Sequence, residues 1–176
     1  MHPCVGCKQN YKATCCEDKD GAGYWLPMTY SEALRIIRHC KADINLLDFR
    51  EYNKRELRDV EESLYGTWAI QHFVDRLALF ISRGLKCQFL ADDGCTLGEL
   101  RPHFCKLYPF QRQEDGVWRV ISDEPGYCWA IDQSDSHTSV ALKMFDTSVE
   151  ELEDIYQQMR KDLRVHARWM KEVVIP

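Results

Sequence analysis

The chain has 176 residues, 45% of them hydrophobic and 29% charged, which is enough apolar material for one sizeable core and suits a single domain over residues 1–176. A formal net charge of -5 argues against nucleic acid as a partner by bulk electrostatics, although Arg160, Lys161, Arg164 and Arg168 form a local basic group. Apolar runs such as Leu77-Ala78-Leu79-Phe80-Ile81 fall far short of the roughly 18 to 20 residues of a membrane span. Residues 1–8 carry no basic segment followed by an apolar one, so the expected location is cytoplasmic, with no membrane partner.

In chain order, residues 1–28 read as irregular and cysteine-rich. Asp20-Gly21-Ala22-Gly23 makes a turn, and Tyr24 to Met28 is extended, because Pro27 biases its predecessor away from the helical region. Thr29-Tyr30-Ser31-Glu32 is a capping-box pattern, and Ala33, Ile36, Ile37 and Cys40 follow at helical spacing, so a helix is predicted over 30–41. Residues 42–51 fit a short strand or a connector. From 54 to 83, Leu57, Val60, Leu64, Thr67, Gln71, Val74, Leu77 and Ile81 trace one stripe in steps of three and four, closed by Gly84. That pattern predicts a long helix and makes 29–84 a helical insert.

Residues 85–130 change character. Two β-like pieces, 87–90 and 95–97, flank Asp92-Asp93-Gly94, and Arg101-Pro102 opens a helix of one or two turns ending at Leu107. Glu114-Asp115-Gly116 turns a hairpin between 110–113 and 117–121. Ser148-Val149-Glu150-Glu151 is a second capping box. Val149, Leu152, Tyr156, Met159, Leu163, His166, Met170 and Val173 then predict a helix over 148–174 whose apolar face packs on the 54–83 helix. The expected fold is mainly α with small irregular β-hairpins. A helical core is capped by a cysteine-rich, metal-stapled loop region made of residues 1–28 and 85–130.

Nine cysteines dominate the chemistry. A reducing compartment disfavours disulfides, and an odd count leaves one cysteine over. The spacing is Cys4-x2-Cys7-x7-Cys15-Cys16, then Cys87-x7-Cys95-x9-Cys105-x22-Cys128. A CxxC pair bends the backbone around an ion, and soft thiolates suit zinc or an iron–sulfur cluster. Eight thiolates would complete two four-cysteine zinc sites, or one iron–sulfur cluster and one zinc site. Neighbouring Cys15 and Cys16 point apart in an extended chain and would serve different ions or bridge them. The spacing is not the compact ferredoxin run. Cys40 stands apart on a helix face as a buried thiol.

His2 and His103 lie near cluster cysteines as alternative ligands, while His39, His72, His137 and His166 read as ordinary helix or surface residues. Glu150, Glu151, Glu153 and Asp154 fit a solvated helix N-terminus. There is no phosphate-binding glycine loop, G-x-S-x-G elbow or H-E-x-x-H pair.

Taken with the run Cys87-Gln88-Phe89-Leu90, Asp93-Gly94-Cys95-Thr96-Leu97, the run Arg101-Pro102-His103-Phe104-Cys105-Lys106-Leu107-Tyr108-Pro109-Phe110, and Cys128, the first cluster resembles the YkgJ-type cysteine-cluster family. This is the CxxCxxCC group of zinc- or iron-chelating proteins. The resemblance spans about residues 4 to 128, with a longer gap between Cys7 and Cys15 than the family's. It implies eight ligand cysteines, matching Cys4, Cys7, Cys15, Cys16, Cys87, Cys95, Cys105 and Cys128, and no settled reaction. Some related proteins look like flagellin lysine methylases with an iron–sulfur cluster. Arg101 fits a group that hydrogen-bonds thiolate sulfur or holds a carboxylate. Tyr108 and Phe110 fit either a shield over the site or plain core packing.

Three functional readings follow. The first is a metal-binding protein with a cysteine-ligated zinc or iron–sulfur centre, structural or in metal handling. The second is an iron–sulfur enzyme, methyltransferase-like or redox, modifying a protein substrate. The third is an adaptor, which requires an exposed apolar stripe on 149–173 to receive a protein partner.

Overall fold

A computed structural model describes residue 16 and residues 27–40, 47–51, 77–81, 87–121, 128–134 and 137–174. Strand β1 (Pro27–Met28) leads into helix α1 (Tyr30–Cys40). The Thr29 N–H donates to Glu32 Oε2 at 2.7 Å and the Glu32 N–H donates to Thr29 Oγ1 at 3.3 Å. This is the reciprocal capping box its sequence predicts, satisfying two donors that a helix start leaves without partners.

Strands β2 (Leu47–Glu51) and β3 (Leu77–Ile81) join β1 in an antiparallel sheet ordered β1-β3-β2. Leu79 stands opposite Met28 on one side and Phe49 on the other. Pro27 occupies an edge strand, where a missing N–H is tolerated. The sheet corrects the expectation of one helix over 54–83, since residues 77–81 form its central strand. Residues 52–76 lie outside the described residues. Leu77 and Ile81 are four apart, which is one helical step and equally two strand repeats. In an unbroken apolar run the period therefore decides nothing. Pairing with segments distant in sequence decides it, and 29–84 is helix followed by sheet where it is described, not a helical insert.

Beyond the sheet, β4 (Leu90–Ala91) and β5 (Gly94–Cys95) form a small hairpin, followed by a 3-10 turn over Gly98–Leu100 and helix α2 (His103–Leu107). Pro102 sits at the N-cap, one place earlier than its expected position inside the first turn. Strands β6 (Phe110–Arg112) and β7 (Trp118–Val120) form the predicted second hairpin. Asp115 Oδ1 accepts from the Val117 N–H at 2.9 Å, and Gly116 adopts φ +82°, a conformation that favours glycine.

Helices α3 (Trp129–Ser134) and α4 (Thr138–Met144) were not anticipated; each is too short to display a full amphipathic period. Helix α5 (Val149–Val174) matches the predicted C-terminal helix. Its capping box also forms: the Glu151 N–H donates to Ser148 Oγ at 3.2 Å, and the Ser148 N–H to Glu151 Oε2 at 3.1 Å. Helices dominate the regular structure among the described residues, alongside three small antiparallel sheets.

The buried apolar residues form two clusters. The smaller gathers Met28, Ala33, Ile36, Cys87 and Leu97, while the larger includes Leu107, Phe110, Trp118, Cys128, Ile131, Leu152, Met159 and Leu163. Helix α5 packs on α1 and α2. The Leu152, Tyr156, Met159 and Leu163 part of the C-terminal stripe is buried against the chain's own core, while Val149 at its start is exposed. Met159→Ala is expected to cost about 2–5 kcal/mol through the cavity it leaves, while Val165→Ala, at an exposed position, stays within about 0.5 kcal/mol. Urea unfolding midpoints of the two variants check this pair.

Candidate metal centre

Cys16, Cys87, Cys95 and Cys105 lie within electrostatic range of one another. The Cys87 N–H donates to the Cys16 carbonyl at 2.8 Å, which ties the first cysteine segment to the second. Cys87 enters the β4–β5 hairpin, with the Leu90 N–H bonded back to its carbonyl at 3.0 Å. Cys95 closes that hairpin, and Cys105 sits in the middle of α2.

The thiols act on one another electrostatically. Burial pushes Cys87 up to about 11; a backbone hydrogen bond at Phe89 opposes this, and negative charge on Cys16 and Cys95 adds to it. Burial likewise raises Cys95, with further upward pressure from Cys16. Cys105 lies well above its ordinary range, first through burial and then through Cys16, Cys87 and Cys95, against a downward pull from Arg101. Arg101 anchors its own guanidinium by donating from Nε to the Gly98 carbonyl at 3.2 Å, and its positive charge favours the thiolates of Cys95 and Cys105. Cys87, Cys95, Cys105 and Cys128 form no disulfide.

The remaining predicted ligands are placed differently. Cys128 is buried in the larger apolar cluster with Phe110 and Trp118, and Tyr108 packs against the same cluster. Phe110 and Tyr108 therefore take part in packing this core. Cys4, Cys7, Cys15 and His2 lie outside the described residues, as does the side chain of Cys40. Among the described residues, no three or more histidine, cysteine, aspartate or glutamate side chains are grouped so that they could hold a metal ion.

Beside the thiols lies a buried polar network that sequence reading largely missed. Thr29, Glu32, His103, Asp162 and His166 are all buried. Glu32 Oε1 accepts from the His103 N–H at 2.6 Å, while Glu32 Oε2 caps α1. His103 Nε2 donates to Asp162 Oδ2 at 3.1 Å, and the same oxygen accepts from Arg35 at 3.0 Å. Burial by itself would raise the Asp162 carboxyl. Hydrogen bonds from His103 and Arg35, the Arg35 charge and a bond from Gln158 outweigh it and hold the group below the usual aspartate range. His103 Nδ1 is buried with no partner among the described residues. Asp162 and His166 are four apart on α5, so a polar pair at helical spacing beside the Met159–Leu163 stripe was the available signal.

His166 Nδ1 accepts the Tyr30 N–H at 2.9 Å, which requires a neutral ring, and burial lowers this histidine to about 4 from 6.5. Between those values the unfolded chain binds the extra proton, so stability falls as pH drops from 6.5 towards 4 and levels off below. The expected loss is about 3 kcal/mol, at roughly 1.4 kcal/mol per unit. His166→Asn keeps an acceptor for Tyr30 and should abolish this component, measured as the difference between urea midpoints at pH 7 and pH 4.5.

A small cleft of about 90 Å³ lies between Phe104, Leu107, Tyr108, Trp118 and Tyr156. Arg112 lies 5.4 Å from the Tyr156 ring centroid and pairs with Glu153 at 2.9 Å. Among the described residues, no helix is long and apolar enough to cross a membrane. No family model, curated protein or solved structure matches the chain.

Proposed function

We propose that the chain is a metal-binding protein with a cysteine-ligated zinc or iron–sulfur centre, structural or in metal handling, and that it is a member of the YkgJ-type cysteine-cluster family it resembles. The observation that carries this reading is the convergence of Cys16, Cys87, Cys95 and Cys105, each within electrostatic reach of the others. The donor chemistry fits: four soft sulfur atoms suit zinc or iron, and Arg101 offsets their accumulated charge. Buried thiols held in the protonated form are poor nucleophiles, which disfavours a plain cysteine hydrolase. Exchanging their protons for a soft cation relieves both the burial cost and the mutual repulsion.

Anaerobic purification followed by metal analysis and an absorption spectrum tests this reading. Zinc bound in a fixed ratio in a colourless protein, or iron and sulfide in a brown one, supports it. A chain that takes up neither metal overturns it. The second reading, an iron–sulfur enzyme acting on a protein substrate, is favoured by the cleft along α2, the helix that also carries Cys105. A cluster spectrum that changes when a candidate protein substrate is added would select it.

A further inference from the structure

His103 is the first residue of α2, the five-residue helix that carries Cys105. An isolated helix of one turn has no stability of its own, so its position is set by what holds it. His103 is gripped twice. Its backbone N–H donates to Glu32 Oε1 at 2.6 Å, and its ring Nε2 donates to Asp162 Oδ2 at 3.1 Å. Each carboxylate is itself fixed. Glu32 Oε2 accepts from the Thr29 N–H and hydroxyl at the start of α1, and Asp162 accepts from Arg35 of α1 and Gln158 of α5. The His103, Glu32 and Asp162 side chains are only 10%, 2% and 8% exposed.

Burying two carboxylates is costly, and apolar packing would hold a helix at least as firmly. What hydrogen bonds add is a defined direction and register. Cys105 lies two residues beyond His103 on the same turn, so α2 cannot slide or rotate relative to α1 and α5 without breaking this clasp.

We propose that His103 is a positioning residue for the thiol cluster: gripped by Glu32 and Asp162, it sets where α2 presents Cys105 to Cys16, Cys87 and Cys95. Filling of the centre is thereby coupled to the packing of α1 against α5. The inference rests on the metal-binding reading and names the residue that organises that same site.

The test uses the full chain with Co²⁺ as probe, read by its thiolate charge-transfer and visible bands. His103→Leu removes the ring donor at similar size and should weaken Co²⁺ binding at least tenfold, with altered visible bands. His103→Gln can donate from its amide to Asp162 and should return within threefold of the native affinity. Native affinity and spectrum in His103→Leu, or a His103→Gln variant no better than His103→Leu, overturn the proposal while leaving the metal-binding reading standing. No charge-transfer band in the native chain overturns the proposal, and uptake of neither zinc nor iron on anaerobic purification overturns the metal-binding reading as well.

Should His103→Leu fail to fold, amide hydrogen exchange on the native chain with and without Zn²⁺ decides. The His103 and Tyr30 amides should gain at least tenfold protection on Zn²⁺ binding, while those of residues 152–156 change less than twofold. A uniform change, or none, overturns the coupling.

Discussion

Glu32→Ala is expected to destabilise the chain by about 3–5 kcal/mol, seen as a lower urea midpoint at unchanged slope. The carboxylate accepts from the Thr29 N–H, the Thr29 hydroxyl and the His103 N–H. Truncation removes the cap, worth about 1 kcal/mol, and leaves buried donors without acceptors at about 1–3 kcal/mol each. Glu151 supplies the control, because it forms the same capping box with Ser148 at an exposed position. Water replaces its bonds, so Glu151→Ala should cost only about 1 kcal/mol. Glu32→Gln should fall between the two, since an amide offers one acceptor oxygen and points a donor where the second is needed. Equal losses at Glu32 and Glu151 would show that burial of the first carries no energetic weight.

Cys105→Ser is expected to weaken metal binding at least a hundredfold, about 2.7 kcal/mol of a binding energy on the order of 10 kcal/mol for a structural zinc. Cys128→Ser should leave metal content unchanged. Its side chain sits in the apolar cluster with Phe110, Trp118 and Ile131, so the substitution places a hydroxyl there and costs about 1–3 kcal/mol of stability. Metal analysis and urea unfolding on both variants separate the two roles. Loss of metal from Cys128→Ser would restore Cys128 to the ligand set that the family resemblance implies. Chelation should loosen residues 87–107 first, while the Leu152–Met159 core of α5 persists, as followed by hydrogen exchange.

Much of the local architecture was legible from short-range pattern. Thr29 with Glu32 and Ser148 with Glu151 are three residues apart, and each pair forms the capping box its residue types predict. The turn at Asp115 and Gly116 closes through bonds between near neighbours, and the helical stripe from Leu152 to Leu163 is buried as its period requires. The spacing of the cysteines predicts shared ligands, and the structure places Cys16, Cys87, Cys95 and Cys105 within electrostatic range of one another.

Other features depend on partners that no local pattern contains. Leu77 to Ile81 suits a helix or a strand, and pairing with β1 and β2 made it a strand. Cys128 shares its residue type with the other cysteines, and tertiary packing places it in a different apolar cluster from Cys87. The Glu32–His103 bond joins residues 71 apart, His103–Asp162 joins residues 59 apart, and Tyr30–His166 spans 136. Each of those side chains has an adequate local explanation as a cap or a surface group, so nothing nearby in the chain marks it as part of one buried network. By itself, the order of residues determined the helix starts and the hairpin turn, because these rest on bonds within a few residues. The tertiary structure alone decided the central strand, the site of Cys128 and the clasp on α2. A buried hydrogen bond or strand pair takes its value from which distant groups exclude water around it.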